Sequence, residues 1–143
     1  MELQELMQRI QIAFTKAHQP LEDAIVCHAC KECLELRDGV IGHTPDQLTD
    51  SWVDHNFDQL PLFSDDAKRY YLPAYLRVSA CNPDSTVTQF VLFSLKGDHR
   101  WEPSGGYSKE QKQAIYEYLQ FIEARTIDEN YQKDIAKAKS VWK

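Results

Sequence analysis

Val87-Thr88-Gln89-Phe90-Val91-Leu92-Phe93-Ser94-Leu95 reads two ways, and the choice decides the fold class. Val87, Gln89, Val91, Phe93 and Leu95 alternate as in a strand, whereas Val87, Phe90, Val91 and Leu95 form a helical stripe. The β-branched and aromatic content favours the strand. A strand, however, must pair its backbone N–H and C=O groups with a neighbour, and the segments around this one all carry helical periodicity. The reading is therefore a helix over 87–95, entered from the turn Asn82-Pro83-Asp84-Ser85, and an all-α chain.

Upstream, Leu3, Leu6, Met7, Ile10, Ala13, Phe14 and Ala17 recur at threes and fours, which predicts a first helix to about His18, ahead of Pro20. A second helical segment is expected from Pro20 to about Gly39 and Gly42. Thr44-Pro45-Asp46-Gln47 is a capping box with proline at the first helical position, predicting a third helix through about Asn56. Ser64, Asp65 and Asp66 cap a fourth, over Ala67–Ala80, which Pro73 must kink or divide.

Downstream, Lys96–Tyr107 reads as a mobile loop holding Gly105 and Gly106. Ser108-Lys109-Glu110-Gln111 caps a helix to about Ala124, and Thr126–Glu129 repeats the pattern ahead of a last helix with a Tyr131, Ile135, Ala138, Trp142 stripe. The expectation is one domain, residues 1–143: a bundle of six to seven helices around a Pro-kinked central one. The N-terminus lacks a secretory pattern and no apolar run approaches a membrane span, so a cytoplasmic protein with reduced thiols is expected.

Charge is uneven along the chain. Residues 1–66 carry thirteen acidic and four basic side chains, residues 67–143 nine and twelve, within a net charge of −6. This acidity argues against nucleic acid, whose phosphates need a basic footprint, and for a basic protein partner. Asp46, Asp50, Asp54 and Asp58 recur at every fourth position; on one helix they would span about 120° of arc opposite Leu48 and Trp52. Such a row of like charges is a solvated face or a docking ridge for a basic cleft, in concrete form an immunity-type inhibitor of a toxin such as a nuclease. Arg69 and Arg77 are expected to tie the two charge regions together, and Tyr70, Tyr71 and Tyr75 to belong to the core rather than to a ligand pocket.

Cys27-His28-Ala29-Cys30-Lys31-Glu32-Cys33 sets three thiols at two-residue gaps. On a helix Val26, Cys27, Cys30, Cys33 and Leu34 share a face, so the preferred reading is apolar packing by cysteine as a small hydrophobe. The alternatives are zinc, with Cys81, His28 or His43 completing the set, and thiol redox chemistry at Cys30 and Cys33, which requires the helix to begin near Cys27. Signatures of phosphate loops, nucleophile elbows and zinc proteases are absent, so the chain reads as non-enzymatic. A cysteine nucleophile with His28, His43, His55 or His99 as base is the hydrolase variant, and Asp98-His99-Arg100-Trp101 is the other place to look for chemistry.

Cys30-Lys31-Glu32-Cys33, Trp52, Phe63-Ser64 and Tyr70-Tyr71-Leu72-Pro73-Ala74-Tyr75-Leu76 together resemble a family of small bacterial proteins of unknown function, over about residues 27–122. The resemblance implies a bacterial source and assigns no catalytic residue.

Overall fold

The computed structural model describes residues 1–98 and 101–143. Its helices are α1 (Leu3–Phe14), α2 (Lys31–Val40), α3 (Asp50–His55), α4 (Asp65–Cys81), α5 (Thr86–Lys96), α6 (Lys109–Glu123) and α7 (Glu129–Trp142), and no strand occurs among the described residues. The chain is all-α. The ambiguous segment is α5, whose Val87, Val91, Leu92 and Leu95 are buried; its backbone groups are satisfied within the helix, as the lack of a partner strand required.

α4 is the centre of one contiguous core. It meets α1, α3, α5 and α6, while α7 closes the far side against α5 and α6. Ser64 caps it, accepting from the Ala67 N–H at 3.1 Å. Pro73 lies inside the helix and does not start a new one, although its missing N–H removes one i to i−4 bond. Tyr71 and Tyr75 are fully buried, and their hydroxyls donate to backbone carbonyls: Tyr71 to Val40 and His43, each at 3.1 Å, and Tyr75 to Asn56 at 3.0 Å. Burial pushes the Tyr71 phenol up to about 12. These tyrosines are core. Toward the C-terminal end of α4, the Ser79 hydroxyl sits 2.5 Å from that of Thr88 and 2.6 Å from that of Tyr118, all buried. Just beyond, Asp84 accepts from the Thr126 hydroxyl and, at 3.1 Å, from the Ile127 N–H, pinning the α6–α7 turn to the α4–α5 turn.

Several sequence boundaries need correction. α1 stops at Phe14, where Thr15 turns its hydroxyl back to the Gln11 carbonyl at 2.7 Å. No helix follows Pro20: a 3-10 turn at Glu22–Ala24 and an antiparallel bridge between Val26 and Phe63 occupy that stretch, and α2 starts only at Lys31. The Thr44–Gln47 capping box forms, but it opens a 3-10 turn over Pro45–Gln47 that breaks at Leu48. Thr49 then caps α3, accepting from the Trp52 N–H at 3.0 Å. The Ser108–Gln111 box forms as read, whereas the final cap is Asp128 rather than Thr126. In the loop after Lys96, Asp98 and Trp101 exchange backbone hydrogen bonds at 3.0 and 3.2 Å, and Pro103 and Ser104 are buried. His99 and Arg100, which the sequence marked for possible chemistry, lie outside the described residues.

A cysteine pair at a helix start

The bridge between Val26 and Phe63 fixes where the cysteines sit. The Ser64 N–H donates to the Ile25 carbonyl at 2.9 Å and its hydroxyl to the Ala24 carbonyl at 2.5 Å. Residues 24–26 are thereby strapped to the N-terminal end of α4, and the chain runs from there into the thiols. Cys30 is the N-cap residue of α2, with extended backbone angles, and Cys33 stands one turn in. This overturns the expectation of a shared apolar face: Cys27 and Cys30 are exposed, and Cys33 alone is buried, on the stripe it forms with Leu36 and Val40. Cysteine at an N-cap meets the unpaired N–H groups and positive end of the helix dipole, which favour a thiolate.

The two sulfurs are driven apart in acidity. Cys30 is held below its ordinary value, chiefly by the Cys33 thiol and then by the Cys33 backbone N–H. Cys33 is raised, chiefly by the same contact with Cys30 and then by burial. The approach is a loose donor-to-sulfur one, since Cys30 makes no capping hydrogen bond of ordinary geometry. An exposed, more acidic thiol paired with a buried, less acidic one is the division of labour between an attacking and a resolving cysteine. Residues three apart on a helix have Cβ atoms about 5–6 Å apart, against the roughly 3.5–4.5 Å of a disulfide. Closing that gap falls on Cys30, whose sole backbone tie to the helix is its carbonyl accepting from Leu34 at 3.0 Å.

The other candidate ligands lie elsewhere. Cys81 ends α4, beside Asp50 and Arg77, about 25 Å of helix from Ser64. His43 follows the C-terminal end of α2, and His28 is exposed between Cys27 and Cys30. Among the described residues no group of three or more histidine, cysteine, aspartate or glutamate side chains is placed to hold a metal ion.

The acidic ladder is not carried by one helix. Asp46 lies in the 3-10 turn, Asp50 in the first turn of α3, where its charge suits the dipole, Asp54 further along α3, and Asp58 beyond its end. Asp50 is ion-paired with Arg77 at 3.0 Å, and Arg77 also donates to the Pro45 carbonyl at 3.3 Å and to the Leu48 carbonyl, clamping the break. Arg69 pairs with Asp66. Both arginines thus bind carboxylates of the acidic half, as expected. Asp46 and Asp54 are exposed without a lysine or arginine partner among the described residues, and Asp58 takes a hydrogen bond from Gln59 at 2.9 Å.

Two side chains that line one cavity escaped the sequence reading. Lys68, one turn into α4, stands 5.3 Å over the Trp101 ring, and Ser94 is a buried hydroxyl on α5 without a hydrogen-bond partner among the described residues. Ser94 had a signal, a polar residue between Phe93 and Leu95; Lys68 had none.

Fold and site together define an all-helical protein with a cysteine pair opening its second helix. The chain belongs to a family of unknown function, DUF6714, whose pattern it matches over residues 2–143. No curated protein and no solved structure matches it. Among the described residues no helix is long and apolar enough to cross a membrane.

Proposed function

We propose that the chain is a small thiol–disulfide protein in which Cys30 and Cys33 cycle between dithiol and disulfide, in a cytoplasmic setting that returns the pair to the dithiol. One observation carries the reading: α2 begins at Lys31, so Cys30 stands exposed at the helix N-terminus while Cys33 is buried one turn in. A disulfide substrate gains the electron pair of the dithiol, and its leaving sulfur takes the Cys33 proton.

The test is alkylation of a Cys27→Ser/Cys81→Ser background with iodoacetamide across pH. Cys30 is expected to react with a midpoint below the roughly 8.5 of free cysteine, and Cys33 to resist. After treatment with a disulfide oxidant, Cys30 should lose its reactivity and regain it on reduction. A Cys30 that titrates like free cysteine, or oxidised protein in which Cys33 stays a thiol, would dismiss the reading. Stoichiometric zinc on the purified protein, lost with Cys30→Ser, would replace it with a metal module using Cys27, Cys30 and Cys33.

A second reading is favoured by the exposure of Asp46 and Asp54, which have no ion pair among the described residues: an acidic docking surface for a basic protein, such as a nuclease toxin, formed by Asp46, Asp54 and Asp58 with Asp50 committed to Arg77. Reversing Asp46 and Asp54 to lysine should then slow association with a cationic nuclease domain and abolish the salt dependence of the rate. An unchanged rate removes this surface from consideration.

A further inference from the structure

Against the first turns of α4 lies a cavity of about 250 Å³, lined by α4, α5 and the Trp101–Tyr107 segment. Two of the four charges on its wall, Glu102 and Arg69, are already matched. Glu102 accepts from the Ser104 N–H at 2.9 Å and hydroxyl at 2.5 Å, which hold its carboxyl below the usual range. Arg69 is paired with Asp66 and donates to the Gly105 carbonyl at 3.4 Å. Asp65 is exposed at the rim, in the first turn of α4, where a negative charge is favourable.

Besides Asp65, whose charge Lys68 feels, what is left over is a set of donors. Lys68 is half-buried with no ion pair among the described residues, its ammonium standing over Trp101. Ser94 is 4% exposed and its hydroxyl has no partner among the described residues. The Tyr107 hydroxyl likewise makes no hydrogen bond among the described residues. A buried hydroxyl without a partner is costly unless something arrives to meet it. An ammonium and two hydroxyls on one small cavity suit a carboxylate.

Lys68 on the cavity wall lies within electrostatic reach of Cys27, which in turn lies within reach of Cys33. The Lys68 N–H donates to the Ser64 carbonyl at 2.8 Å, and Ser64 straps Ile25, two residues before Cys27. We infer that this cavity takes a carboxylate of a small acidic disulfide and so presents its S–S bond to Cys30, an inference that rests on the thiol reading of the pair. The Cys30 thiolate attacks one sulfur, the S–S bond breaks, and the departing thiolate takes the Cys33 proton. Cys33 then attacks the Cys30 sulfur of the mixed disulfide and releases the second thiolate, which takes from solvent the proton Cys30 had given up. Two electrons have passed from the dithiol to the substrate. Burial holds the Lys68 ammonium below its ordinary value, and a bound carboxylate reverses that.

The experiment uses the full chain with Cys27→Ser and Cys81→Ser, reduced, and follows its oxidation by glutathione disulfide, which carries carboxylates, and by 2-hydroxyethyl disulfide, which carries none. Lys68→Gln should slow the first reaction about tenfold and leave the second within about twofold. Ser94→Ala should act the same way, more weakly, and Lys68→Arg should recover most of the rate. Lys31→Gln, which removes the same charge beside Cys30 but outside the cavity, should slow glutathione disulfide less than Lys68→Gln does. Equal slowing of both disulfides by Lys68→Gln, no slowing of either, or an equal effect of Lys31→Gln overturns the inference while leaving the thiol pair standing. If neither disulfide oxidises the pair, the thiol reading itself fails and the inference with it.

Discussion

Near the C-terminal end of α4, the hydroxyls of Ser79, Thr88 and Tyr118 meet at 2.5 and 2.6 Å in the buried core, and Asp84 ties down the next turn. Near the N-terminal end, Cys27 and Cys30 lie open, and Lys68 and Ser94 face a cavity with no ion-pair or hydrogen-bond partner for their side chains among the described residues. The same helix thus has one end where polar groups answer each other and one where they wait on something outside the chain. Buried polar groups that find each other specify and rigidify a core; those that do not carry a cost that a ligand can relieve. The contrast predicts that stability and reactivity are separable along α4.

The largest break would come from Tyr118→Ala. It removes a fully buried ring and strands the Ser79 hydroxyl, at a cost of about 3–5 kcal/mol in urea unfolding; a loss below about 1 kcal/mol would mean that this end does not anchor the fold. Ser79→Ala, which leaves the Thr88 and Tyr118 hydroxyls without their shared partner, should cost about 1–3 kcal/mol in the same assay.

A smaller, pH-dependent effect belongs to Asp84. Its carboxyl is held below the ordinary 3.8, first by the Thr126 hydroxyl and also by the backbone N–H groups of Ile127 and Asp128. A depressed folded value means the contribution is fully present above the unfolded value and is lost as pH falls through the lower folded one. The urea midpoint of Asp84→Asn should therefore lie below that of the parent at neutral pH, with the gap narrowing in acid; a gap constant with pH would refute this. The smallest stability change is expected from Cys30→Ser, since serine caps helices well. Its urea midpoint should match the parent while rapid alkylation at neutral pH disappears. A large stability loss there would erase the distinction between the two ends.

Much of the scaffold could be read from residue patterns because its signals are local. The Ser108–Gln111 box, the Ser64 cap and the apolar faces of α5 and α6 need no knowledge of distant contacts, and each appears where the pattern puts it. The thiol site was hidden by a competing pattern. Cysteine counts as a small hydrophobe, so Cys27, Cys30 and Cys33 completed a helical stripe that the chain does not form. What holds residues 24–26 out of a helix is their pairing with Phe63 and Ser64, some forty residues on, which no local window contains. The break at Leu48 had a visible warning in Thr49-Asp50-Ser51, a second cap inside the supposed helix, and its clamp, Arg77, again comes from far along the chain. The cavity drew on α4, α5 and the Trp101 segment together, and only the odd placement of Ser94 hinted at it.

Ser64 holds two pieces of chain with the two capacities of a single hydroxyl. Its proton goes to the Ala24 carbonyl, while a lone pair receives the Ala67 N–H. Aspartate at this position would keep the acceptor and lose the proton, so Ser64→Asp leaves the central helix seated and repels the carbonyl that moors the cysteine-bearing strand of chain. One substitution can in this way slacken the mooring of the thiols, with the Ser64 N–H still on the Ile25 carbonyl, without unwinding the mast they are tied to.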